Sequence, residues 1–130
     1  MKLVFPNLEL KEQYYELVKS ALKNGDIFEM GNAYRENEKY EDMLIRLENR
    51  SKGINISSRD VPATIHFILN EKEKVVGTID IRHTLNDNYF SRLGHIAYYI
   101  KFEERNKPFY IRGIKEYQTN NEKGYLMILA

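Results

Sequence analysis

"ATIHFILNEKEKVVGTIDIRH", residues 63–83, is the stretch that decides the fold class. In its first half Ile65, Phe67 and Leu69 alternate with Thr64, His66 and Ile68; in its second half Ile79 and Ile81 alternate with Thr78, Asp80 and Arg82. A period of two places one set of side chains on one face of a pleated strand, and the polar "NEKEK" between the halves has the character of a turn. The stretch therefore predicts an antiparallel hairpin. Downstream, the turn-forming "LNDNYFSRLG" leads to "HIAYYIKF", a further strand with Ile96, Tyr98, Ile100 and Phe102 on one face and His95, Ala97, Tyr99 and Lys101 on the other.

Upstream of Ile54 the period is helical. In "NLELKEQYYELVKSALKNG" the residues Tyr14, Leu17, Val18, Ala21 and Leu22 recur at helical spacing, with Asn7 as a cap and Gly25 as a stop. In "ENEKYEDMLIRLENRSKG" a second stripe of Tyr40, Met43, Leu44 and Leu47 ends at Gly53, and charges such as Glu36, Lys39 and Arg46 are placed on the solvated side. Two helices followed by an antiparallel meander make an α+β domain. Beyond Lys107, "FYIRGIKEYQTNNEKG" reads as a short, poor helix on Ile111, Ile114 and Tyr117, with Gly113 inside it, and "YLMILA" reads as a final buried strand.

The 130 residues show no repeat, low-complexity tract or linker, so residues 1–130 form one domain. A hydrophobic content of 42% with 30% charged residues lies in the globular range, and a formal charge of +1 offers no field to attract nucleic acid or an acidic membrane. The chain has no cysteine, which excludes disulfides and thiolate chemistry and fits a cytoplasmic address. "MKLVFPNLEL" lacks the apolar core of a signal peptide, and no later run approaches the ~20 apolar residues of a membrane span.

The candidate chemistry lies just past "HIAYYIKF". A strand running into "EERNK" sets charged residues and successive backbone N–H groups beyond its end, an arrangement that can hold a pyrophosphate, although basic residues after a strand also make an ordinary solvated turn. Together "KVVGTIDIRHTLND" and "GHIAYYIKFEERNK" resemble the GNAT superfamily of acetyl-CoA-dependent N-acetyltransferases. They are closest to a bacterial branch that reads "VG.I.IRH.LN" and then "GHIGY.V.P.ERNKGYA". The resemblance covers Leu3 to Lys107 and is most specific from Val75 to Lys107.

That resemblance implies acetyl-CoA as donor, its pantetheine arm paired to the main chain of Tyr98 and Ile100. It implies a pyrophosphate turn on Arg105, Asn106, Lys107, Phe109 and Tyr110, and an amine as acceptor. This chain departs from the family pattern within the turn. Pro108 stands at the first glycine and has no N–H to donate, and Tyr110 fills the second small position. The expected consequence is acetyl-CoA binding that is weak or absent. The family's later helix and closing strands have no counterpart after "YLMILA", so the reading is of a GNAT domain incomplete at its C-terminus, by genuine variation or by a frameshift after Lys107.

Outside that turn, Arg82 and His83 are a local hydrogen-bonding pair or acceptor contacts, and His66 and His95 are structural histidines with no further ligands to make a metal site. Asp80 and Glu29 are candidate general bases, with no catalytic residue singled out. The 10 tyrosines read as amphipathic core. Two functions stay open: acetyl transfer to a primary amine, or a non-catalytic remnant that binds or dimerises. An unpaired apolar "YLMILA" strand predicts a homodimer through its edge.

Overall fold

The computed structural model describes residues 2–86 and 96–105, and the backbone of 111–119 and 122–129. The predicted hairpin forms strands β2 (Ala63–Leu69) and β3 (Val75–Arg82), in antiparallel register with Phe67 opposite Thr78 and Ile65 opposite Asp80. Its turn is closed by one side chain: Asn70 Oδ1 accepts from the backbone N–H groups of Lys72 and Lys74, at 2.9 and 3.0 Å. Asparagine favours turns because its short carboxamide reaches backbone donors close by. Strand β4 (Ile96–Ile100) pairs with β3, and a short β1 (Lys2–Val4) pairs with β2, giving a four-stranded sheet in the order β1-β2-β3-β4. Three residues carry no readable period, which is why β1 went unforeseen.

Both helices form where the apolar stripes place them: α1 spans Lys11–Lys23 and α2 spans Tyr40–Ser51. Asn7 Oδ1 accepts from the Glu9 N–H and caps the 3-10 turn Leu8–Leu10 that leads into α1. Gly25 and Gly53, each at φ +72°, take the left-handed conformation that ends the helices. Tyr14, Leu17 and Ala21 of α1 and Tyr40, Met43 and Leu47 of α2 are buried against Ile65, Phe67 and Leu69 of β2. The Tyr14 ring stacks on Phe67 at 5.8 Å, and its hydroxyl donates to the Ala33 carbonyl. Leu22, assigned to the buried stripe, is exposed, because the core-facing arc of α1 closes at Ala21.

Two charged side chains lie deeper than their helical positions suggest. Arg46, expected in solvent, makes a fork on Glu38 at 2.8 and 2.9 Å and donates to the Asn32 carbonyl. The loop between the helices folds back over α2 and brings in partners that local spacing does not show. Arg50 is 4% exposed and donates to Asp80 Oδ1 at 2.9 Å and to Asp60 at 3.4 Å.

Strand β3 is buried along its whole length, so its inside-outside alternation is not a core-solvent one. Thr78, Asp80 and Arg82 lie on the helix side, and Ile79 and Ile81 join Ile68, Val76 and Ile100 in a second apolar cluster. Glycine at 77 is required by the backbone. A Cβ there would sit 2.1 Å from the Tyr99 carbonyl oxygen, far inside contact distance.

The C-terminal region corrects the sequence reading. The predicted helix is strand β5 (Ile111–Thr119), paired antiparallel with β6 (Glu122–Leu129) from Thr119 opposite Glu122 to Ile111 opposite Leu129. Ile111, Ile114, Tyr117 and Thr119 are strand formers. Gly113, costly inside a helix, falls at the register shift between Ile111 and Gly113, a position suited to glycine. The final strand therefore has a partner within the chain, against the expectation that it stands unpaired.

Among the described residues no helix is long and apolar enough to cross a membrane.

Candidate functional site

β4 is the last strand of its sheet, and its side away from β3 has no strand partner among the described residues. Which backbone groups point there follows from one bond. The Lys101 N–H donates inward to the Val76 carbonyl at 2.9 Å. In an antiparallel ladder a residue's N–H and C=O share one side and the sides alternate along the strand. Tyr99 therefore points inward with Lys101, and Tyr98 and Ile100 present their N–H and C=O groups to the outer edge. Beside that edge lies a cavity of about 400 Å³, lined by Glu29, Tyr98, Tyr99, Ile100, Glu104 and Arg105.

Three of the residues expected at a donor site, Tyr98, Ile100 and Arg105, thus line one cavity. Asn106, Lys107, Phe109 and Tyr110, with Pro108 and His95, lie outside the described residues. The predicted strand stops at Ile100, and Phe102 sits exposed in a 3-10 turn, Phe102–Glu104, instead of continuing the strand face. That turn is tied to α1 by the Ser20 hydroxyl, which donates to Glu103 at 2.7 Å and holds the Glu103 carboxyl below its ordinary pKa. Tyr98 is exposed, although it shares a face with buried Ile100, because an edge strand is covered less completely than its neighbours.

Arg105 is held firmly. Its Nε donates to the outward carbonyl of Ile100 at 2.9 Å, its Nη2 donates to Asp26 Oδ2 at 2.8 Å, and Glu29 stands 3.6 Å from the same nitrogen. The guanidinium lies over the rings of Tyr99 and Phe102, at 5.5 and 5.8 Å. Asp26 is buried and also accepts from the Tyr99 hydroxyl at 3.2 Å; burial first, and the Asp26 charge second, push the Tyr99 phenol up to about 12. Asp26 itself is fixed at the end of α1, its N–H donating to the Ala21 carbonyl at 2.7 Å.

The two carboxylates named as candidate bases are placed differently: Glu29 lines the cavity with an exposed side chain, whereas Asp80 is buried in its ion pair with Arg50, away from the cavity-lining set. His83 is engaged locally: its Nε2 meets Thr64 Oγ1 at 2.7 Å and its N–H donates to the Pro62 carbonyl. Arg82 is buried on the helix side of β3. The His66 ring lies tilted against Phe5 at 4.9 Å, its Nδ1 finds no hydrogen-bond partner among the described residues, and burial, then His83, lowers its pKa. Among the described residues no three histidine, aspartate or glutamate side chains gather as a metal site.

Asp26 is the site residue that sequence reasoning missed. Its partners are 73 and 79 residues away, so no local pattern marks it. Comparison of the chain with family models, with curated proteins and with solved structures gives no match.

Proposed function

We propose that the outer edge of β4 and its cavity form an acyl-thioester site, and that the chain is a GNAT-type N-acetyltransferase domain taking acetyl-CoA as donor and a primary amine as acceptor. The observation that carries this reading is the outward-facing backbone of Tyr98, beside the cavity and without a strand partner among the described residues. An edge strand can pair an amide-bearing arm such as pantetheine as it would pair another strand. An outward N–H can hydrogen-bond the thioester carbonyl as charge develops on its oxygen. The neutral amine attacks that carbonyl carbon, the C–S bond breaks, and the thiolate leaves and is protonated to the thiol. Glu29 is the group placed to take the proton that the amine nitrogen loses.

A specific observation favours the second reading, a non-catalytic binding module. Arg105 is already occupied by Asp26 and by the Ile100 carbonyl, and Pro108 removes a phosphate-binding amide. Acetyl-CoA incubated with polyamines, amino-acid amides and short peptides, followed by free-thiol release, separates the two. The chain has no cysteine, so the protein adds no thiol background. Amine-dependent thiol release that falls at least tenfold in Glu29→Gln supports the transferase. Binding of acetyl-CoA with no release, or no binding at all, contradicts the transferase and favours the module.

A further inference from the structure

Arg105 is the one cation among the described residues that line the cavity, and the groups that hold it belong to this chain. Its Nη2 meets the Asp26 carboxylate at 2.8 Å and Glu29 at 3.6 Å, and its Nε meets the Ile100 carbonyl at 2.9 Å. Asp26 is 8% exposed, the Oδ2 that accepts from Arg105 accepts also from the Tyr99 hydroxyl, and the Asp26 backbone N–H is bonded to the Ala21 carbonyl. A carboxylate so placed does not swing away from the guanidinium at little cost. Two carboxylates around one guanidinium leave its surroundings with a net negative charge, and a phosphate arriving there meets charge of its own sign.

We infer that Asp26 is a specificity-determining residue of this site, an internal counter-anion that keeps Arg105 from serving a phosphorylated ligand. The site then selects its ligand by the uncharged arm that lies along β4 and gives no extra affinity for pyrophosphate. The inference rests on the proposed reading for the position of that arm, but the charge preference it assigns to Arg105 is measured without any thioester. Asp26→Asn keeps the side-chain size and the acceptor for Tyr99 while removing the charge that holds Arg105.

The test titrates inorganic pyrophosphate into the full chain, followed by calorimetry and by the arginine Nε–H signals in nitrogen-15 spectra. The wild-type chain is expected to show no saturable binding in the low-millimolar range and no shift of the Arg105 signal. Asp26→Asn is expected to bind roughly tenfold tighter or better, since it removes a like charge from beside the incoming phosphate. Asp26→Asn combined with Arg105→Gln is expected to lose that gain. Pyrophosphate that shifts the Arg105 signal in the wild-type chain overturns the inference, as does equal affinity of the wild type and Asp26→Asn. If Asp26→Asn fails to fold by circular dichroism, the wild-type spectrum decides alone. Failure of the transferase reading shows separately, as absence of pantetheine binding with the pyrophosphate results unchanged.

Discussion

Replacing Asp80 by leucine should cost this domain about 3 kcal/mol of stability, and the reasoning behind that figure can be checked step by step. Arg50 is 4% exposed, and its counter-charges are Asp80 at 2.9 Å and Asp60 at 3.4 Å, while Nη2 has no partner among the described residues. Breaking a buried ion pair by removing one partner costs about 3–5 kcal/mol, because the other charge stays buried and uncompensated. Asp60 retains part of the compensation, which places the cost at the lower end of that range. For a domain of this size the loss corresponds to roughly 10 °C in melting temperature. Asp80→Leu combined with Arg50→Met removes both charges and substitutes apolar volume, so the double variant should be more stable than either single one. Urea unfolding of the four chains measures the cycle. A single variant that loses less than about 1 kcal/mol, or a double variant whose loss is the sum of the singles, would refute the buried pair. Because the pair lies apart from the cavity, folded Asp80→Leu should keep any thiol-releasing activity.

Gly77→Ala should destabilise the chain by about 3 kcal/mol, the upper end of ordinary overpacking, and weaken pantetheine binding, because the new Cβ meets the Tyr99 carbonyl oxygen at 2.1 Å and pushes β4 outward; a urea midpoint equal to wild type would contradict the close approach. His66 has a folded pKa below its ordinary 6.5, so the fold favours the neutral ring. Its contribution is complete above about pH 6.5 and is lost as pH falls through the depressed value. The urea midpoint of the wild type should therefore drop more between about pH 7 and pH 5 than that of His66→Phe, which keeps the ring contact with Phe5; parallel drops would argue against it. We propose in addition that the chain associates as a dimer through the β5-β6 sheet, whose two outer edges have no strand partner among the described residues. Sedimentation should find a dimer for the intact chain and a monomer for one ending at Gly124, and a monomeric intact chain removes the proposal.

The elements that could be read from the sequence are those whose period is set by one face. Tyr14, Leu17 and Ala21, or Ile65 and Phe67, each mark a single buried face, and the segments fold as the spacing predicts. The period failed where other forces govern. In β3 both faces are covered, so Asp80 and Arg82 look solvent-facing by pattern and are buried in fact. From Ile111 to Thr119, spacings of three apolar positions mimicked a helix, while β-forming side chains and a partner strand two residues beyond Thr119 decided for a hairpin. At the site, Tyr98, Ile100 and Arg105 were singled out through the family resemblance, and the three line one cavity because the turn after β4 brings Arg105 back beside the strand end. Asp26 was not, since a carboxylate that engages a residue 79 positions away has no local signature.

The most direct test of the β4 site is a nitrogen-15 titration of the backbone amides with pantetheine, which carries the arm and no pyrophosphate. The outward N–H groups of Tyr98 and Ile100 should shift and saturate together, and the inward N–H groups of Tyr99 and Lys101, already bonded to β3, should move little. Unchanged Tyr98 and Ile100 amides at saturating pantetheine, or shifts confined to residues away from β4, would contradict the account.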